Sequence, residues 1–132
     1  MNKRGTEGRY AYEGLERVMH EKARLGILTT LLANPEGVLF TDLKRLCSLT
    51  DGNLSRHLKA LAEERLVEVY KRFHERRPQT LVRLGEEGRE RFLEYLDELQ
   101  RVVRDAAKAR RAAGAQGRCR RGESPSGEWM PV

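Results

Sequence analysis

The chain of 132 residues contains 39% hydrophobic and 35% charged residues, which suits one domain with a modest core and excludes a membrane-spanning segment. The net charge of +6 is uneven: residues 41–84 carry ten basic and six acidic residues, residues 86–105 four and seven, and residues 106–132 six and two. The N-terminus lacks the apolar stretch of a secretory signal, and Cys47 and Cys119 lack metal-binding spacing. We therefore expect a cytoplasmic protein without a disulfide framework, zinc finger or cofactor.

The N-terminal part is predicted to begin with a flexible arm over residues 1–12, which contain two glycines and no apolar period. From residue 13 to residue 33, apolar residues recur at steps of three and four, which is typical of an amphipathic helix. The polar run from His20 to Lys22 leaves open whether this stretch is one kinked helix or two helices. The run from Asn34 to Gly37 ends it.

The middle of the chain predicts two short helices joined by a turn. The apolar run from Val38 to Phe40 favours a short strand, and Thr41 is a good N-cap for a helix that ends near Cys47. After a turn over residues 48–51, a helix over residues 51–64 has a buried stripe formed by Leu54, Leu58, Leu61 and Ala62. This arrangement is a helix-turn-helix.

The C-terminal half predicts a hairpin followed by one long helix. Strands over residues 66–73 and 80–84 are joined by a polar loop of about five residues. The helix occupies residues 85–107 and carries an apolar stripe that we predict to be a dimer interface, formed by Phe92, Tyr95, Leu96, Leu99, Val102 and Val103. Its carboxylates are interpreted as a solvated face and not as catalytic groups. Residues 108–132 are predicted to be a disordered basic tail.

The run from Leu46 to Leu61 resembles the L-x-x-L-T-x-G-N-L-S-x-H-L-x-x-L signature of small winged-helix transcriptional regulators related to the ArsR and MarR repressors. The resemblance covers about residues 18–100. It implies an α+β winged helix-turn-helix domain over residues 13–84, followed by a long dimerisation helix. In two places the sequence departs from the family pattern: Arg65 replaces a glycine after the second helix of the motif, and Gly85 replaces a threonine before the last helix.

Physical chemistry supports the same function, because a helix with a polar, partly basic outer face can enter the major groove of DNA. Asn53 and Arg56 suit base edges, whereas Ser55 and Lys59 suit bases or phosphates. His57 is predicted to point towards the helix interface. Phosphate contacts are predicted for Lys44, Ser48 and Thr50 near the helix termini, and backbone or minor-groove contacts for the wing residues Lys71, Arg72, Arg76 and Arg77.

The sequence therefore predicts a homodimeric, sequence-specific regulator of transcription that binds duplex DNA, acts as a repressor and has no enzymatic activity. The alternative is a winged-helix module that contacts protein or RNA. A small-molecule effector that binds near the dimer helices is compatible with the first hypothesis. Cys47 is interpreted as a packing residue, because the spacing of the cysteines and histidines supplies no metal site.

Overall fold

A computed structural model describes residues 6–116 and 130–131, and it confirms the predicted α+β architecture. These residues fall into two compact units that meet in sequence between Glu98 and Leu99. The elements, in chain order, are α1 (Lys22–Ala33), β1 (Val38–Leu39), α2 (Phe40–Cys47), α3 (Asp51–Glu63), β2 (Val67–His74), β3 (Arg77–Leu84) and α4 (Glu86–Gln116).

The helix predicted from residue 13 begins instead at Lys22, so that prediction was wrong for residues 13–21. These residues form hydrogen-bonded turns, and Glu21 has the extended conformation of an N-cap with φ −148° and ψ 138°. The polar run at residues 20–22 thus marks the start of the helix. The turns are tied to α4, because the Gly14 amide donates to Glu98 Oε2 at 3.0 Å and His20 Nδ1 lies 2.5 Å from the Tyr95 hydroxyl.

The core of the first unit combines one side of each helix with the inner face of the sheet. Its fully buried side chains come from the N-terminal turns, α1, α2, α3, the strand region and α4: Met19, Ile27, Leu28, Leu31, Leu43, Leu54, Leu61, Leu66, Val82, Phe92 and Tyr95. Phe92 and Tyr95 are therefore covered within a single chain. Their assignment to a dimer interface was wrong, because a buried side chain offers no surface to a second molecule.

The sheet is antiparallel with strand order β1-β3-β2. β1 pairs with β3 at Val38↔Val82, and β2 pairs with β3 from Val67↔Leu84 to His74↔Arg77. Because β1 is only two residues long, the distal half of the hairpin extends beyond it as a two-stranded wing. Pro78 lies in this half, where β3 has a partner on one side and the missing amide of proline is tolerated.

The hairpin turn has two residues, so the predicted loop of about five residues was wrong. Glu75 and Arg76 have positive φ angles of 53° and 65°, the combination required by a type I′ turn. This turn matches the twist of the flanking strands, and it therefore closes the hairpin although neither residue favours the left-handed region.

The start of α4 is packed closely against the end of the helix-turn-helix. The Gly85 amide donates to the Leu66 carbonyl at 3.1 Å, and a Cβ at Gly88 would lie 1.9 Å from the same oxygen. Only glycine at position 88 permits this approach. α4 continues to Gln116, nine residues beyond the predicted end, because alanine, lysine and arginine in this stretch favour helix. The predicted disorder was therefore wrong for residues 108–116. Residues 117–129 of the predicted tail, which include Cys119 and Trp129, lie outside the described residues.

Candidate nucleic-acid interface

α3 is held rigidly by its ends and by its inner face. The Thr50 side chain accepts a hydrogen bond from the Asn53 amide at 3.2 Å, and Leu54, His57, Leu58 and Leu61 are buried. After its last turn the chain reverses through Arg65, whose φ of 60° places it in the left-handed conformation that the missing glycine would adopt. The outer face of α3 is therefore presented at a defined angle.

A polar cluster ties the inner face of α3 to the start of α1. His57 is 7% exposed, and its Nδ1 accepts a hydrogen bond from Arg24 Nε at 3.3 Å. Arg24 also donates to the Val18 carbonyl at 3.1 Å, and Glu21 Oε2 lies 3.7 Å from both Arg24 Nε and His57 Nδ1. The predicted inward orientation of His57 is confirmed, and its hydrogen bond with Arg24 holds α3 against α1.

The four residues predicted to read DNA from α3 are all exposed: Asn53, Ser55, Arg56 and Lys59. Arg56 Nη2 donates to Asn53 Oδ1 at 3.1 Å. Ser55 and Lys59 border a groove of about 370 Å³ between α3 and the wing. The opposite wall is formed by Lys71 and Thr80, and the remaining lining comes from Phe40, Leu58, Ala62 and Val69.

The four predicted wing residues are exposed but do not share one surface. Lys71 lines the groove beside α3. Arg72, the next residue along the strand, points to the other face of the hairpin and donates to Gln79 Oε1 at 3.0 Å. Arg76 and Arg77 lie at the tip, in the turn and at the first position of β3. Lys71 thus lies in the α3 groove, and Arg76 and Arg77 extend the basic surface to the end of the wing.

The three residues predicted to contact phosphates already have local roles. The Thr50 hydroxyl caps α3, and Lys44 Nζ forms an ion pair with Asp51 Oδ1 at 2.8 Å. Ser48, with φ 55°, ends α2 in the left-handed conformation, so it caps a helix C-terminus and does not offer the free amides of an N-terminus. Lys44 and Ser48 remain exposed enough to contact a ligand at this turn.

A family model of the winged helix DNA-binding domain matches residues 23–103 of this chain. The chain belongs to this family. A curated relative, an uncharacterized protein of Methanocaldococcus jannaschii, is 34% identical to this winged helix domain over 89 residues, which are 67% of this chain and 96% of the relative.

The solved structures that are similar to this winged helix protein include the following two. The first is a transcriptional regulator homologue protein from Pyrococcus horikoshii OT3, with 29% identity, a TM-score of 0.67 and coverage of 73% of this chain and 95% of that one. The second is MarR, which shares the fold with 20% identity, a TM-score of 0.58 and coverage of 86% and 92%. The predicted winged helix-turn-helix domain is thus confirmed, and MarR shares its fold.

Arg91 is a half-buried residue of the winged helix domain that the sequence pattern missed. It donates to Glu16 Oε1 at 2.6 Å and to the Glu64 carbonyl at 2.8 Å, so it joins the N-terminal turns to the end of α3. The hydrogen bond to the Glu16 carboxylate, and after it the Glu64 carboxylate with Oε1 3.6 Å from Arg91 Nη2, raise the pKa of the Arg91 guanidinium. Residues 86–105 carry seven carboxylates, which is typical of a solvated face, so the sequence gives little reason to expect Arg91 to be buried. The adjacent residue Phe92 is the one signal of burial at this position.

Within residues 6–116 and 130–131, no group of three histidine, cysteine or carboxylate residues could hold a metal ion. Over the same described residues, no helix combines the length and apolar character needed to span a membrane. Cys47 is half-buried in a groove between α1 and α2, with Sγ 3.8 Å from the Thr30 hydroxyl. The small-molecule effector stays a prediction.

Proposed function

We propose that this chain is a sequence-specific regulator of transcription that binds duplex DNA as a homodimer and acts as a repressor. The observation that carries the proposal is the groove between α3 and the wing, bordered by Ser55 and Lys59 on one side and by Lys71 on the other. At 1.5 Å per residue, the 13 residues of α3 form a rod about 20 Å long, which suits a major groove about 12 Å wide.

Two kinds of contact divide the work in this proposal. Asn53, Ser55, Arg56 and Lys59 reach the base edges from a helix whose position is fixed by packing. Lys71, Arg76 and Arg77 meet the phosphates beside the groove, and Lys44 and Ser48 meet them at the turn before α3. Arg72, on the outer face of the hairpin, contributes positive charge at longer range.

The proposed dimer contact lies in the later part of α4. Leu99 and Val102 are half-buried and Val103 is 60% exposed, and Val102 and Val103 line a shallow apolar surface with Ala106 and Ala107. Leu96, also half-buried, belongs to the same stripe by its spacing. A helical stripe of this kind packs against a second copy of itself in a symmetric dimer.

The exposed position of Val103 allows a clean test of the dimer. Val103→Glu places a charge in the contact without touching the core of the first unit, and we expect light scattering to report a monomer. Lys108→Glu is the matched control, because position 108 lies on the opposite side of the helix by the 3.6-residue period. A dimer that persists in Val103→Glu at micromolar concentration contradicts this contact.

Selection of bound sequences from random duplexes tests DNA binding itself. We expect one preferred sequence with two-fold symmetry, and an affinity that falls steeply as the salt concentration rises. Binding that is insensitive to salt, or binding to RNA or protein alone, favours the alternative of a winged-helix interaction module. The selected site, placed across a promoter in a transcription assay, should lower the transcript yield if the protein is a repressor.

A further inference from the structure

The Asn53 and Arg56 side chains are joined to each other on the exposed face of α3. Arg56 Nη2 donates to Asn53 Oδ1 at 3.1 Å, and the two residues are one helical turn apart in the N-terminal half of α3. This half is the part of a recognition helix that meets base edges. A base under Asn53 therefore meets an amide that already has a partner.

The pairing fixes the orientation of the Asn53 amide. A guanidinium has five N–H donors and no acceptor, so it binds the carbonyl oxygen of the amide and repels the NH₂ group. Oδ1 is consequently on the side of Arg56, and the two Nδ2–H donors point away from it. Arg56 uses one donor in the pair and keeps the others for a second ligand.

The charge of Arg56 also changes what the amide can bind. A cation at hydrogen-bond distance from Oδ1 makes this oxygen a poorer acceptor for a second donor and polarises the Nδ2–H bonds into better donors. Adenine requires both functions of an asparagine, an acceptor for N6–H and a donor for N7. Guanine and thymine present acceptors at O6, N7 and O4 and no donor in the major groove.

We propose that Asn53 and Arg56 act as one reading unit that presents mainly hydrogen-bond donors, and that it selects guanine or thymine in place of adenine under Asn53. Arg56 reads a guanine at the adjacent position. The inference rests on the proposed function and adds to it the chemical class of base that the helix recognises. The specificity of the two positions is thereby coupled, since the charge of one residue sets the hydrogen-bonding character of the other.

The test compares base preferences selected from random duplexes by the full chain and its variants. In Asn53→Ala the base preference should disappear at one position of the selected sequence, and this identifies the base that lies under Asn53. At that position the unaltered chain should favour guanine or thymine over adenine by about fivefold or more, the discrimination of one good contact. In Arg56→Ala the carbonyl regains its acceptor function, and the preference at the same position should shift to adenine.

Two further variants separate charge from geometry. Arg56→Lys keeps a cation that can donate to Oδ1 but loses the forked pair of donors of the guanidinium. The preference for guanine under residue 56 should therefore weaken, while the base preference under Asn53 persists. Arg17→Ala removes an exposed arginine outside the proposed interface and should retain both preferences. Circular dichroism before each selection verifies that the variants are folded.

Each outcome decides a separate claim. Adenine selected by the unaltered chain under Asn53 overturns the reading unit, and so does a guanine or thymine preference that Arg56→Ala leaves unchanged. In both cases sequence-specific binding, and with it the proposed function, still stands. If the unaltered chain selects no sequence at all, the proposed function fails and the reading unit fails with it.

Discussion

α3 and the wing flank the same groove, but they are held in different ways. α3 has a capped N-terminus, four buried side chains and a polar cluster around His57. Along β2, by contrast, every residue from Val69 to His74 is exposed, and only the base of the hairpin reaches the core. Base recognition needs donors and acceptors held in a fixed geometry, whereas attraction to phosphates tolerates movement. The difference in anchoring therefore supports the proposed division between a helix that specifies the base sequence and a wing that strengthens binding.

The largest expected effect is on folding. Leu54 is completely buried in α3, so Leu54→Ala should lower the free energy of unfolding by about 2–5 kcal/mol. Phe73, which is 79% exposed in the wing, is the matched apolar control. Phe73→Ala should change the free energy of unfolding by less than about 0.5 kcal/mol. Urea unfolding measures both. Equal losses in the two variants contradict the difference in anchoring.

The second effect is on DNA binding. Arg56→Ala should cost about 1–3 kcal/mol on the preferred duplex and relax the preference at its base position. Arg76→Ala, at the tip of the wing, should weaken binding to all duplexes alike and reduce the salt slope by about one. Fluorescence titrations on preferred and random duplexes separate the two. A uniform loss for both variants removes the distinction between helix and wing.

A change in the hairpin turn should alter stability and affinity in opposite directions. Glu75 and Arg76 occupy the left-handed region, which costs an L-residue about 1–2 kcal/mol, whereas asparagine and glycine adopt it readily. Replacement of the pair by Asn-Gly should raise the free energy of unfolding by about 1 kcal/mol. Because Arg76 is lost, the affinity for every duplex should fall. If the Asn-Gly variant is less stable in urea unfolding, the result contradicts the left-handed conformation of the two turn residues.

The smallest effect concerns pH and the outer face of the hairpin near its base. The Tyr70 hydroxyl donates to Glu68 Oε1 at 2.6 Å and Arg83 Nε donates to the same oxygen at 3.0 Å, and together they lower the pKa of the Glu68 carboxyl. A carboxyl whose pKa is lower in the folded state contributes stability above its unfolded pKa near 4.5 and loses it as the pH falls. Tyr70→Phe should therefore flatten the acid limb of a stability profile slightly, and an unchanged limb contradicts the contact.

The elements that the sequence predicted best are those that depend on short-range patterns of residues. The period of the apolar residues located α3 within about one residue, and alternation located β2. The turn escaped prediction because Glu75 and Arg76 carry no signal for positive φ. The start of α1 escaped because apolar residues such as Met19 recur in the turns at nearly helical steps.

The exposure of the candidate residues on α3 and the wing was predictable from the sequence, but the surface that they form was not. An apolar stripe indicates burial without saying against what, so Phe92 and Tyr95 were assigned to a partner although their own chain covers them. Strand alternation separates Lys71 from Arg72, but the location of the α3 groove beside Lys71 depends on tertiary packing. The same holds for Arg91, whose partners come from two distant segments.

A salt titration of the full chain on two duplexes, the preferred sequence and a scrambled one, tests the central claim most directly. We predict that affinity for both duplexes falls with salt at about 0.9 log units per phosphate contact for each tenfold increase. We also predict that the preferred duplex binds at least about a thousandfold more tightly at physiological salt. Equal affinities for the two duplexes, or affinities that do not depend on salt, would contradict a helix that reads DNA beside a wing that holds its backbone.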